Sequence, residues 1–342
     1  MNYYTGCDVH KKTTTIQQMD EEGALGLSMT IPTDKASIRK FLDQLDDPTI
    51  ITFEAGRNWW WLHQFFSQQP QVTQVKVVDP RRARILASEL SVQSGYGRAK
   101  NDEIDSEMLA ELTRRDLEPA INVPTVEQLE QRTFCRHRFG LVMNRTRAKN
   151  IIHAFMAMHG TSARICDLID DLSIRNQVYE SIPDYISFII DQLLIQVQLF
   201  DKQIFHCEKK INNLLPESHP QIKLLISAPG IGIVLARIIY TEILDIAYFK
   251  EPKYLVSYSG LAPIDNESAG RKGRIRLNRY CNYYLKYAFV EAAHNSSDFK
   301  KHKRKYDLDV KKHGKIIAKV NLARRIVKAV YWMLTRQQLY KM

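Results

Sequence analysis

The sequence predicts the α/β plus α class: an α/β region at the N-terminus, then a mainly helical remainder. Three observations predict it. Up to residue 78, three β-rich runs come first and helical and β-rich runs then alternate. Beyond Pro124 the texture changes to long helices, and one of these carries a sustained 4-3-4-3 apolar spacing. With 342 residues, 44% of them hydrophobic, the chain can fill a sizeable core and is too long for one typical domain, so two or three units are expected.

The elements follow in order. Strands are predicted at 3–9, 13–19 and 24–31, with Asp20-Glu21-Glu22-Gly23 as the turn between the second and third. A helix at 35–45, a β-rich run at 49–53, a helix at 59–67 and a strand at 72–78 come next. A ribonuclease H-like sheet matches this order, among other α/β topologies. A long helix is predicted from Thr125 to about His159, with Arg132, Arg136, Arg138, Arg145, Arg147 and Lys149 and no acid between Gln131 and Lys149. Ile186, Ile190, Leu193, Val197, Phe200, Ile204, Cys207, Ile211 and Leu214 then form a coiled-coil seam. That seam could pack on the preceding basic helix or join two protomers. Around Pro229-Gly230-Ile231-Gly232 the pattern is helix, Gly-rich turn, helix, and the N–H groups starting the second helix can bind a phosphate. The stretch 315–339 reads as a basic amphipathic helix. The expected divisions are 1–118, a helical coiled-coil region at 119–218, and 219–342.

Charge is unevenly placed. The chain carries +11, but from Ser268 to Met342 there are 20 Lys/Arg against 4 Asp/Glu, which leaves the preceding 267 residues at −5. A basic C-terminal quarter suits a polyphosphate partner, because each neutralised phosphate releases counterions. Rings interleave with the charges at Arg279-Tyr280, Tyr283-Tyr284 and Lys286-Tyr287, where they can stack on bases or pack under phosphate-binding arms. The five cysteines are scattered and form no C-x-x-C pair, so neither a disulfide framework nor a cysteine zinc site is expected. A reducing cytoplasm fits, and no signal peptide or membrane segment is expected.

Four acids stand out. Asp8 and Glu54 fall at or near the C-terminal ends of predicted strands, where a sheet presents side chains to a crevice. Asp102 and Asp105 lie three apart at the start of a helix that Asn101 can cap, so they share a face. Acids at such positions also serve simply to complement a helix dipole. Grouped together they could hold Mg²⁺, and a pair of ions about 3.5–4 Å apart can activate an attacking oxygen and stabilise a leaving one.

The stretches Gly6-Cys7-Asp8-Val9-His10-Lys11, Phe53-Glu54-Ala55-Gly56, Lys100-Asn101-Asp102-Glu103-Ile104-Asp105 with Met108-Leu109-Ala110-Glu111, Pro229-Gly230-Ile231-Gly232, Gly260-Leu261-Ala262-Pro263 and Glu267-Ser268-Ala269-Gly270 occur in one order. In that order the chain resembles the DEDD transposases of the IS110 and IS1111 insertion-sequence group over nearly its whole length. The resemblance implies a RuvC-like N-terminal domain, a coiled-coil linker and a C-terminal transposase domain. It places the family's metal-binding acids on Asp8, Glu54, Asp102 and Asp105, and its DNA-attacking serine on Ser268. It further implies double-stranded donor and target DNA, a guiding bridge RNA, and a dimer or tetramer. The sequence departs from the usual Ser-Gly at Ser268-Ala269-Gly270, and Ser257 and Ser259 are the fallback nucleophiles.

Expected nucleic-acid contacts are Arg136, Arg138, Arg145, Arg147, Gly230, Gly232, Arg271, Lys272, Arg274, Arg276 and Arg279. A site-specific invertase of the same architecture, or a RuvC-like junction nuclease without a covalent intermediate, would share most of these features.

Overall fold

The computed structural model describes residues 3–94, 101–264, 267–268, 271–272, 276–278 and 280–340. They form two compact units, Met1–Val123 and Pro124–Met342.

The first unit is built on a five-stranded mixed sheet. Its strands are β1 (Tyr3–Val9), β2 (Thr13–Met19), β3 (Leu25–Pro32), β4 (Thr49–Glu54) and β5 (Val72–Val78), in the order β3-β2-β1-β4-β5. The first three pair antiparallel, and β4 and β5 run parallel to β1. This order is consistent with a ribonuclease H-like sheet. Helices α1 (Lys35–Leu42), α2 (Trp59–Phe66), α3 (Pro80–Ser94) and α4 (Asp102–Arg114) complete the unit. The helix expected to run to residue 45 ends at Leu42, where the Gln44 and Leu45 N–H groups turn back to the Phe41 and Leu42 carbonyls.

Strand periodicity assigns the two faces. Cys7 is paired across the sheet with Ile16 and Phe53, so these three point the same way. They join Ile38, Phe41, Leu62 and Phe66 in the core beneath α1 and α2. Gly6 and Thr52, also paired with each other, point to the opposite face, which α4 covers. Thr113 of α4 places its hydroxyl 2.7 Å from that of Thr52, both buried. A Cβ on Gly6 would collide with the Ser106 carbonyl oxygen and come within 2.7 Å of the Ala110 nitrogen. Only a residue without a side chain lets the α4 backbone lie this close to β1.

The second unit is almost wholly helical. α5 (Val126–Met158) starts in a capping box, with the Thr125 hydroxyl accepting from the Gln128 N–H and the Gln128 side chain accepting from the Thr125 N–H. After α6 (Ile165–Asp170) and α7 (Leu172–Glu180), α8 (Asp184–Leu214) returns along α5. Ile186, Ile190, Leu194, Val197, Ile204, Cys207 and Ile211 are its buried residues. The apolar stripe therefore lies against α5 within the chain. Leu194 takes the buried place expected for Leu193, while Phe200 and Leu214 are half-buried.

The remaining helices share one core: α9 (Pro220–Ile226), α10 (Ile233–Ile243), α11 (Pro252–Tyr258), α12 (Tyr283–Ser296), α13 (Lys300–His313) and α14 (Lys315–Arg336). Leu225, Ile239, Leu255, Phe289, Leu322 and Val327 are at its centre. Between α11 and α12 lie the two-residue strands β6 (Pro263–Ile264), β7 (Glu267–Ser268), β8 (Arg271–Lys272) and β9 (Arg276–Leu277), paired β6 with β9 and β7 with β8. Residues 124–218 and 219–342 belong to the same compact unit, since α10 packs on α5 as well as on α12.

The turn between α9 and α10 depends on Gly230. Its φ is +81°, and an added Cβ would strike the Ala292 carbonyl oxygen of α12 and lie 2.9 Å from Ser296 Cβ. At Gly232, with φ −86°, a Cβ would meet open space. Gly230→Ala is therefore expected to destabilise this unit by about 2–4 kcal/mol, summing left-handed strain and overpacking. Gly232→Ala should stay within about 1 kcal/mol. Denaturant midpoints of the two variants check the contrast.

Candidate active site

The first turn of α4 brings acids to the edge of the sheet where β1 and β4 end. Asn101 caps the helix by accepting from the Glu103 N–H, which puts Asp102 at the first helical position and Asp105 one turn on. The positive end of the helix favours both carboxylates there. Asp8 points to the α4 face, two residues beyond Gly6 on β1. Glu54 lies two residues beyond Thr52 on the parallel neighbour β4, and so shares that face and that edge. Its side chain is half-buried.

The closest grouping includes a residue that the four-acid expectation left out. His10, just past the end of β1, places Nε2 3.2 Å from Asp8 Oδ2 and 3.3 Å from Asp102 Oδ2. One ligand atom from each of Asp8, His10 and Asp102 lies within 4.8 Å of the other two. The backbone of His10 is held on three sides. Its N–H donates to the Thr13 carbonyl at 2.9 Å, and its carbonyl accepts from Thr33 Oγ1 at 3.2 Å and Asn58 Nδ2 at 3.3 Å. The only sequence signal for His10 is its place two residues after Asp8.

Burial raises the Asp8 carboxyl above the ordinary carboxylate range. His10 pulls it down, and the charges of Asp102 and Asp105 push it up again. Asp105 is thus near enough for its charge to act on Asp8. On the opposite sheet face, burial first and the Asp8 charge second push the Cys7 thiol up to about 12, which makes it an inert packing residue. Converging carboxylates with an imidazole nitrogen are a donor set that a divalent cation accepts, and removing such a cation's water is offset by these charges.

The backbone of Ser268 pairs with Arg271 in the β7–β8 hairpin. The Ser268 side chain lies outside the described residues, as do Ala269, Gly270, Arg274 and Arg279. Arg271, Lys272 and Arg276 are described only through the backbones of β8 and β9. Of the fallback serines, Ser257 is exposed at the end of α11. Ser259 is fully buried and its hydroxyl donates to the Leu255 carbonyl at 2.8 Å.

Several of the expected nucleic-acid arginines carry internal partners. Arg136 grips Glu242 of α10 through two bonds of 2.6 and 2.8 Å, while Asn282 donates to the same carboxylate at 2.7 Å. Arg138 pairs with Glu208 at 2.7 Å, and Arg145 with Asp201. α8 supplies these last two acids, a consequence of its antiparallel return along α5. Arg147 is exposed. The rings beside the basic residues divide in the same way. Tyr283, Tyr284 and Tyr287 pack edge-on against Phe139, with centroids 5.9, 5.3 and 4.8 Å apart, and Tyr284 lies under the Arg136 guanidinium, while Tyr280 and Tyr283 keep much of their surface exposed. Exposed Lys303, Arg304, Lys305, Lys311 and Lys312 give α13 a basic surface. Among the described residues, no helix is long and apolar enough to cross a membrane.

Acids gathered where the strands of a mixed sheet end are an arrangement shared by enzymes that process phosphodiesters with divalent cations. Comparison with known proteins identifies the family. Residues 5–159 match the transposase model of the DEDD IS110 type, and residues 222–307 match the model for the transposase IS116/IS110/IS902 family. A transposase for insertion sequence element IS1328 of Yersinia enterocolitica is 26% identical over 247 residues, covering 72% of this chain and 70% of that protein. A transposase for insertion sequence element IS1111A of Coxiella burnetii is 22% identical over 259 residues, 71% of this chain and 68% of the other. The chain belongs to the IS110 family of insertion-sequence transposases.

Proposed function

We propose that this transposase cuts and rejoins double-stranded DNA through a covalent serine intermediate, with Asp8, Glu54, Asp102 and Asp105 holding Mg²⁺, as two ions. The observation that carries the reading is the convergence of Asp8 from β1 and Asp102 from α4 on one imidazole, with Glu54 on the same sheet edge and face. When bound, the cation supplies Lewis-acid stabilisation of charge on phosphate oxygens. The four carboxylates fix its position, and α4 orients two of them as a unit.

The chain's own nucleophile is Ser268. Its hydroxyl oxygen bonds to phosphorus as the bond from phosphorus to a deoxyribose oxygen breaks. The hydroxyl proton leaves to a base, and the departing oxygen takes up a proton. A deoxyribose hydroxyl of the second DNA then attacks the phosphoserine, restores the serine and closes the new strand. Two phosphodiesters are exchanged for two, so no external energy source is needed. Arg271, Lys272, Arg274, Arg276 and Arg279 lie close to Ser268 in sequence and hold the DNA backbone, joined by the exposed lysines of α13. Gly230 and Gly232, with the free N–H groups that start α10, take a further phosphate without reading sequence. A bridge RNA pairs with donor and target in this reading, and a dimer or tetramer holds the two duplexes. The RNA rests on likeness to the family, with the basic surface of the second unit beside it, and the oligomer on that likeness and the need to hold two duplexes.

The test is Asp102→Ala in a cell-based reporter carrying the element's ends. Recombination should fall by a factor on the order of 10³ or more, while binding to the same DNA in a gel-shift assay persists. Unchanged recombination would remove the carboxylates from the chemistry and leave a DNA-binding role.

A further inference from the structure

We propose that His10 is itself a metal ligand of the site, completing an Asp8–His10–Asp102 set whose nitrogen shifts the preference from Mg²⁺ toward Mn²⁺. The inference rests on the metal-binding reading above and adds a residue and a selectivity to it.

Geometry supports it first. Around an ion with bonds of about 2.1 Å, neighbouring donors are separated by roughly 3.0 Å in octahedral and roughly 3.4 Å in tetrahedral coordination. The His10 Nε2 separations from the two carboxylate oxygens, 3.2 and 3.3 Å, fall in that interval. The imidazole nitrogen that hydrogen-bonds Asp8 also faces a carboxylate oxygen of Asp102 from a different element, and a single N–H serves only one of the two directions. An ion bound there would be shared by all three donors.

Preorganisation supports it next. The His10 backbone is fixed by hydrogen bonds to Thr13, Thr33 and Asn58, which belong to β2, to the segment after β3 and to the residue before α2. Three separate elements thus hold the β1–β2 turn where its imidazole can meet α4. The side chain is half-exposed, so an ion from solvent can reach it. Donor chemistry then gives the selectivity. Mg²⁺ prefers oxygen ligands and keeps its waters, whereas imidazole nitrogen suits the transition ions, and Mn²⁺ accepts both donors in the same octahedral geometry.

The test uses the full chain and Mn²⁺ alone, read by pulsed electron paramagnetic resonance. Bound Mn²⁺ should show the ¹⁴N modulation of a coordinated imidazole, and His10→Ala should lose it. The same substitution should weaken Mn²⁺ by about tenfold or more and Mg²⁺ by less, lowering the ratio of the two affinities. His10→Asn, which keeps a polar side chain and removes the ring nitrogens, should behave like His10→Ala, with circular dichroism reporting that both remain folded. Mn²⁺ bound by the native protein without nitrogen modulation overturns the role of His10 and leaves the carboxylate site standing. So does modulation that survives in His10→Ala, because another histidine then supplies it. Absence of Mn²⁺ binding by the native protein overturns both readings together.

Discussion

Ser268→Ala is expected to abolish the covalent link between this protein and DNA. Incubated with DNA carrying the element's ends and resolved on a denaturing gel, the native chain should leave a fraction of strands attached to protein. In the variant that band should disappear, and strand exchange should fall by a factor on the order of 10³ or more. The magnitude follows from the role. A hydroxyl whose oxygen forms the new bond to phosphorus is the reacting group itself, so its removal deletes the covalent step. Ser259, close by in sequence, is fully buried with its hydroxyl committed to the Leu255 carbonyl. Ser257→Ala, at an exposed position, should retain the adduct and serves as the control. Full strand cleavage by Ser268→Ala would mean that a metal-activated water performs the cut, which is the chemistry of a junction nuclease.

The second large effect is expected in the first unit, at Gly6. A methyl group there points at the Ser106 carbonyl and the Ala110 nitrogen, both backbone atoms of α4. Neither can rotate away, so α4 must lift from β1 or the strand must bend. Gly6→Ala should therefore destabilise the first unit by about 3 kcal/mol, at the upper end of overpacking costs. Since α4 carries Asp102 and Asp105, divalent-cation binding should weaken along with stability. Gly56→Ala is the matching control, because a Cβ there meets only the Glu54 carbonyl oxygen, at 3.9 Å. Equal denaturation midpoints for the two variants would show that α4 does not depend on the missing side chain at Gly6.

Several features of the fold were legible because they are local. β-rich runs bounded by turn residues placed β1 to β5 within a residue of their expected bounds, and Thr125 marked the start of α5 through its own hydroxyl. The acids at strand ends and at the cap of α4 were legible for the same reason. Other elements were not. α3, α6, α7 and α11–α13 carry no clear local signal in the sequence; α6 and α7 are short, and α13 is so heavily charged that its apolar face is thin. The apolar stripe of α8 followed the expected period, but a straight helix of about 3.6 residues per turn brought Leu194 rather than Leu193 into the buried row.

By itself the sequence determined the first five strands, the helices with a clear apolar period or cap, the basic character of the last quarter and the positions of the acids. These depend on neighbours within one or two helical turns. Only the tertiary structure decided that His10 meets Asp8 and Asp102, that the α8 stripe faces α5, and that Glu242 takes up the charge of Arg136. Each of those meetings joins residues from separate elements. What brings them together is the packing of whole faces, such as α4 against Gly6 and Thr52, and no local period in the chain encodes which distant face will fit.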